Sequence, residues 1–340
     1  MAQRSDIFTE RLAFPRLYMG NLSVDPTGEG DAGGFNLIIA SERPEDYLAD
    51  EELRDVVNLA LMLGQSLLVT GDPGTGKTQL ASSVAYDLGR RGEGFPEPFV
   101  FHTKTTSAAR DLFYRYDTLR HFHDSQFSKE DLDAASYIRY SALGLAILLS
   151  LPPEERPKDQ IPEHLRVIPP ARSVVLVDEL DKAPRDLPND ILNEIDRLTF
   201  EVPEIGQTFQ CDPQYRPFVI FTSNSEKNLP DAFLRRCVYY HISFPDPDQL
   251  LRIVERRLKS AKGFSRERME EAIKHFMEIR NLPLKKSPAT AELLAWMRVI
   301  ERLDLDLRNL GPGEMETLAI TYSALVKTRE DLEYVRSRKR

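Results

Sequence analysis

Gly71-Asp72-Pro73-Gly74-Thr75-Gly76-Lys77-Thr78 limits what this chain can fold into more than any other stretch. It fits G-x-x-x-x-G-K-[ST], a loop that cradles phosphate. Leu67-Leu68-Val69-Thr70 runs straight into it, and residues 79–88 leave it with a helical pattern. A strand, a glycine loop and a helix in that order give the motif its meaning. Glycines let the backbone curl so that its N–H groups point inward at a phosphate. The helix N-terminus adds positive potential at the same point. Lys77 is then placed to reach the β- and γ-phosphates, and the Thr78 hydroxyl to hold Mg²⁺. The bland alternative is a glycine turn between a strand and a helix. All the fixed positions are filled and both flanks are right, which argues against it.

The chain has 340 residues, enough for two packed domains. Its longest apolar run, residues 142–151, is too short to span a bilayer and reads as a buried helix. The first residues, Met1 to Ile7, lack the apolar core of a signal peptide. A net charge of −9 argues against nucleic acid as the main partner. Cys211 and Cys237 are the two cysteines and have no metal-ligand spacing. Reduced structural thiols in a cytoplasmic protein are expected. His121 and His123 read as an exposed loop pair rather than a metal site.

Residues 1–35 read as irregular, with a flexible loop at 27–34 and a short strand, or a segment beside the nucleotide, at 35–40. Residues 50–63 read as an amphipathic helix with an acidic first turn. Apolar strands are expected at 67–70, 99–103, 174–177, 218–222 and 238–243, with helical stretches between most of them. Continuous apolar strands alternating with helices indicate a parallel sheet covered on both faces. After residue 246 the apolar positions follow helical spacing only, at Leu250, Leu251, Val254 and Leu258, then at Met269, Ile273, Phe276 and Met277. Two more such faces follow, and no repeats are seen. The expected fold class is α/β, a three-layer P-loop NTPase sheet with helices on both faces, followed by a small all-helical lid domain. The expected domains are an N-terminal segment (1–35), an α/β domain (36–245) with an insertion around 117–170, and a helical domain (246–340). The basic tail, residues 336–340, reads as a frayed, solvated end.

Val174-Val175-Leu176-Val177 ends in Asp178 and Glu179. At the C-terminal edge of a sheet, Asp178 can meet the Mg²⁺ held by Thr78, and Glu179 can orient and deprotonate an attacking water. Alone, such a run is weak, because helix N-termini also collect acids. Together with the glycine loop it is strong. Asn224 follows another apolar strand and can hold that water or a phosphate oxygen. Arg235 and Arg236 are either surface charge or a finger reaching a neighbouring subunit's site. Residues 107–116 mix aromatic and basic groups. They can line a pore, stack on bases or pack inward. Residues 201–209 suggest a hairpin.

These motifs in this order resemble an AAA+ ATPase. Within AAA+, residues 177–184 and 229–234 resemble the MoxR-type, helix-2-insert branch, and the likeness covers roughly 36–305. The resemblance implies ATP and Mg²⁺ as cofactors and a ring, usually a hexamer, with the nucleotide bound between subunits. It implies chaperone-like remodelling of a protein or complex, often with a von Willebrand factor A-domain partner. It makes Asn224 the sensor-1 residue and Arg236 the finger, with Arg235 as the alternative. It puts adenine near Ile39–Tyr47 and substrate-facing elements in the insertion and the 201–209 hairpin. In one departure, Ala289 follows Ser287-Pro288 where the family has a γ-phosphate-sensing arginine. Lys285 and Lys286 are the nearby substitutes. In the other, Thr78 and Asp178 lie unusually far apart in sequence, so the insertion must be looped out. Two further functions fit parts of the pattern: a DNA-directed motor or loader, and a nucleotide-gated scaffold with little turnover. Acidic charge counts against the first, and retention of Glu179 against the second.

Overall fold

The computed structural model describes residues 43–127, 133–157, 159–227, 229–258 and 264–339. The irregular segment expected at 1–35 and the strand expected at 35–40 lie outside those residues. Contacts divide the chain into two compact units, Tyr47–Phe244 and a second containing Pro245–Arg340.

The first unit is built on five parallel strands: β1 (Ser66–Gly71), β2 (Phe99–His102), β3 (Val174–Asp178), β4 (Phe218–Ser223) and β5 (Cys237–Ile242). Their order is β2-β3-β4-β1-β5. Each apolar run seen in the sequence forms one of them. β1, β3 and β4 are buried along their whole length, as suits a sheet covered on both faces. Val174 and Leu176 enter one core while Val175 and Val177 enter the other, because successive strand side chains point to opposite faces. Helices α1 (Glu51–Leu63) and α2 (Lys77–Arg90) cover the first face with Leu53, Val57, Leu80 and Leu88. Helix α3 (Ala142–Ser150) covers the other with Leu143 and Ile147. Asp50 caps α1 by accepting the Leu53 N–H at 2.7 Å, which satisfies an orphan donor of the first turn.

Between β2 and β3 the chain leaves the sheet. Strands Tyr114–Tyr116 and Ile138–Tyr140 pair antiparallel, and helix Thr118–Phe127 lies between them in sequence. Phe113 and Tyr114 are buried, and the Tyr114 hydroxyl donates to Glu204 at 2.9 Å. Those two aromatics therefore pack inward rather than offering faces for bases. Glu204 belongs to the turn of a second hairpin, Thr199–Val202 with Gln207–Gln210, as the sequence suggested. His121 and His123 are on a helix, not in a loop. Asp117 accepts the Arg120 N–H at 3.0 Å and starts that helix. His121 shares a 2.6 Å hydrogen bond with the Tyr116 hydroxyl, and His123 is exposed beside Asp124. Among the described residues no group of three or more His, Cys, Asp or Glu is arranged for a metal ion, and no helix is long and apolar enough to cross a membrane.

Arg156 organises the return to the sheet. Its side chain is buried and donates to the carbonyl oxygens of Leu149 (3.0 Å), Leu151 (2.6 and 2.9 Å), Leu165 (2.9 Å) and Ile168 (2.8 Å). Burial pushes its pKa down. Arg156→Leu would leave several inward-facing carbonyls without donors, at about 1–3 kcal/mol each. We expect it to lower unfolding stability by more than about 3 kcal/mol. A denaturant midpoint equal to wild type would show that the loop is held by other means.

In the second unit the described residues form helices α4 (Pro247–Arg257), α5 (Arg266–Arg280), α6 (Thr290–Arg302), α7 (Pro312–Leu325) and α8 (Arg329–Arg338), with no strand. Fully buried Trp296 centres this unit, and its indole N–H donates to Thr321 at 2.8 Å. The tail is not frayed over the described residues. Thr328 caps α8, Val335 is buried and Arg336 donates to the Ala319 carbonyl at 3.0 Å. Ala289 precedes α6 directly. The Lys285 ammonium pairs with Glu330, and the backbone N–H groups of Lys285 and Lys286 donate to Asp331 at 3.0 and 3.4 Å.

Candidate active site

β1 ends in the glycine loop and α2 begins at Lys77. The loop thus sits at the C-terminal edge of the sheet, where open α/β folds bind ligands. All three of its glycines, Gly71, Gly74 and Gly76, have positive φ, and at two of them a Cβ would also crowd a neighbour. Gly71 has φ 148°, and a Cβ there would lie 2.5 Å from the Ile242 carbonyl oxygen. Gly76 has φ 90°, and a Cβ there would lie 3.1 Å from the Tyr47 ring. A side chain at either place strains the backbone and crowds a neighbour. Tyr47 closes the stretch expected to border adenine, of which residues 39–42 lie outside the described chain.

Lys77 is 8% exposed. Its ammonium donates to the carbonyl oxygens of Gly71 (2.7 Å) and Asp72 (2.9 Å) and to Asn224 Oδ1 (3.1 Å). Burial pushes its pKa down, while Asp181, Asp72, Asp178 and Glu179 push it back up.

β3 delivers Asp178 as its last residue, 7% exposed. Asp178 Oδ1 accepts from the Thr78 hydroxyl at 3.1 Å and from the Thr222 hydroxyl at 2.6 Å. Its Oδ2 lies 3.6 Å from His102 Nδ1, in keeping with the His102 and Asp178 register of β2 and β3. The Thr222 oxygen also accepts the Glu179 N–H at 2.9 Å. Glu179 has φ 58°, a left-handed conformation that costs a residue with a side chain about 1–2 kcal/mol. Strain of this kind concentrates at functional sites. The half-exposed Glu179 carboxylate receives the Lys182 ammonium at 2.5 Å.

The strand order explains why these groups meet. β4 lies between β1 and β3, so its tip touches both. Asn224 takes Lys77 from one side, and Thr222 takes Asp178 from the other. Asn224 is itself held by Asp181, which accepts its backbone N–H at 3.2 Å and its side-chain Nδ2 at 3.0 Å.

The structure thus brings together Gly71–Thr78, Asp178, Glu179 and Asn224. Arg235 and Arg236 lie elsewhere. β5 runs in register with β1 from Ser66 opposite Cys237 to Gly71 opposite Ile242. The two arginines precede Cys237, at the far end of the strand from the glycine loop. At the rise of a strand that is roughly 20 Å. Arg236 donates to Asp196 at 2.9 Å and to the Ala232 carbonyl at 3.3 Å. The exposed Arg235 side chain has no partner among the described residues. Thr222, Asp181, Lys182 and His102 contact these groups without having been assigned roles from sequence. Asp181 and Lys182 stand inside the motif run 177–184, and Thr222 directly before Ser223-Asn224, so position alone was visible and contact was not.

A family model described as AAA domain (dynein-related subfamily) matches residues 66–237. The match runs from the first residue of β1 to the first of β5, just over half of the chain. The chain belongs to this AAA family. No curated protein matches the sequence. AAA domains are nucleotide-binding ATPase domains, and the residues at the glycine loop fit a nucleotide with a divalent cation. The loop walls are thin where Gly71 and Gly76 lie. Lys77 brings a buried positive charge. Thr78 and Asp178 present hard oxygen donors 3.1 Å apart, the ligand type Mg²⁺ takes. Asp178, Glu179 and Asp181 add negative charge that a cation offsets.

Proposed function

We propose that this chain hydrolyses Mg-ATP at sites shared between neighbouring copies of a ring and uses the cycle to remodel a protein or complex. The observation that carries the reading is the meeting of Thr78 Oγ1 and Asp178 Oδ1 at 3.1 Å, because it joins the glycine loop to the acidic strand tip. Thr78 and Asp178 hold Mg²⁺, directly or through water. When bound, Mg-ATP supplies the phosphoryl group and the charge neutralisation its transfer needs. The backbone N–H groups of Gly71–Thr78 bind phosphate oxygens, and Lys77 exchanges its loop carbonyls for phosphate. Glu179 orients the attacking water and takes its proton. Asn224 holds the water or a γ-phosphate oxygen.

The roughly 20 Å between Arg236 and the glycine loop of the same chain favours a finger acting on a neighbour. Arg235 is the alternative. Nucleotide that binds best to a closed subunit interface shifts the population toward closure, and hydrolysis releases it. The MoxR-type, helix-2-insert reading rests on the motifs at 177–184 and 229–234, and it carries with it chaperone-like action, often beside a von Willebrand factor A-domain partner. The first test is Lys77→Ala, which removes a buried charge from the phosphate site. Tight nucleotide binding should be lost in a direct titration. Unchanged ATP affinity would overturn the assignment of the loop.

A further inference from the structure

Asn224 is an amide, and an amide side chain can be turned either way about its last bond. Its two neighbours settle the question. Lys77 carries donors only, and the Asp181 carboxylate carries acceptors only. Lys77 Nζ lies 3.1 Å from Asn224 Oδ1, and Asp181 Oδ2 lies 3.0 Å from Asn224 Nδ2. Turned over, the amide would set NH₂ against an ammonium and oxygen against a carboxylate. Both contacts would become repulsive. Asp181 grips the backbone as well, since its other oxygen accepts the Asn224 N–H at 3.2 Å. One carboxylate therefore holds the tip of β4 by main chain and side chain together.

The source of that carboxylate is informative. Asp181 lies in the short turn Leu180–Lys182 directly after the β3 tip, two residues beyond Glu179. The Lys182 N–H donates to the Glu179 carbonyl at 2.9 Å and closes that turn. The strand tip that presents Glu179 and the strand tip that presents Asn224 are thus fixed to each other through one side chain. An amide nitrogen has two hydrogens. Asp181 takes one and leaves the second aimed away from itself.

We propose that Asp181 is a positioning residue: it orients the Asn224 amide so that its carbonyl oxygen is presented to Lys77 and one N–H stays free, at the place where a terminal phosphate is distinguished from its absence. The inference rests on the reading of Asn224 given above. Asp181 itself touches neither nucleotide nor water in this role.

The experiment uses the full chain and four proteins: wild type, Asp181→Ala, Asn224→Ala and the double variant. Binding of ADP and of a slowly hydrolysed ATP analogue is titrated, and kcat and KM are measured separately. The expected result is a fall in kcat of about 10-fold or more for Asp181→Ala, in the range of a lost transition-state hydrogen bond. The preference for the triphosphate over ADP should narrow in both single variants, with KM changing less than kcat. In the Asn224→Ala background, removing Asp181 should cost nothing further, because the two act as one unit. Asp181→Asn keeps one acceptor and should recover part of the loss. Thermal midpoints report whether each protein is folded, and should Asp181→Ala not fold, Asp181→Asn carries the same cycle with Asn224→Ala. If Asn224→Ala impairs turnover while the Asp181 variants leave kcat and triphosphate preference at wild-type values, Asp181 does not position Asn224. Additive losses in the double variant overturn the inference equally. If Asn224→Ala changes nothing, the role of Asn224 itself is wrong and the inference falls with it.

Discussion

Glu179→Gln should bind ATP about as tightly as wild type and hydrolyse it about 10²- to 10⁴-fold more slowly, the range attributed to a positioned general base. The substitution is close to isosteric. It keeps the left-handed backbone at this position and the N–H bond to Thr222, so the strand tip should survive intact. It removes the one group at the tip that is a half-exposed carboxylate without a structural task in the core. Asp178 could not replace it. That side chain is 7% exposed and already accepts from Thr78 and Thr222. Losing the ion pair with Lys182 should cost little stability, since both side chains are about half exposed and such pairs are worth about 0–1 kcal/mol. The measurement is steady-state phosphate release beside a nucleotide titration on the same preparation. Equal rates for the variant and wild type would remove Glu179 from the chemistry and leave the nucleotide-gated scaffold as the better account.

How much of this site could be read from the sequence follows from the distances involved. The glycine loop is local: strand, turn and helix are contiguous, and only glycine fits at Gly71 and Gly76. Strands β1, β3 and β4 were visible because full burial on both faces leaves no polar alternation to confuse them, and the partly exposed edge strands β2 and β5 showed through their apolar and aromatic residues. What the one-dimensional pattern could not show is that β4 lies between β1 and β3. That order turns Thr222 from a strand residue into the link between Asp178 and Glu179. It also brings Asp181 against Asn224 across 43 positions of chain. Helix Thr118–Phe127 was missed for a different reason: none of its residues is buried, so it lacks the apolar periodicity that signals a helix. Its one local sign was the cap at Asp117. Arg156 fell inside the insertion expected around 117–170 without a role of its own, because nothing in the sequence shows that its neighbouring carbonyls turn inward.

The arginine before β5 carries the largest remaining expectation. Arg236→Ala should fold and bind ATP, yet turn it over about 10³-fold more slowly or worse, as befits loss of an arginine that offsets transition-state charge. Folding should be spared, because the pair with Asp196 is exposed on both sides and contributes about 1 kcal/mol at most. Register places Arg236 at the opposite end of the sheet from its own glycine loop, so the effect cannot be direct within one chain. Mixing distinguishes the routes. Arg236→Ala subunits retain Glu179, and Glu179→Gln subunits retain Arg236. Where one of each meets in the right order, a complete site forms from two inactive proteins. Partial recovery of ATPase on mixing is therefore expected, rising and then falling as the ratio is varied. Arg235→Ala run beside it identifies which of the two adjacent side chains reaches the neighbour, since only the finger should show the large loss and the rescue. An inactive mixture at every ratio, from two variants that each still assemble and bind nucleotide, would mean that each chain completes its own site, and a finger reaching between subunits would have to be abandoned.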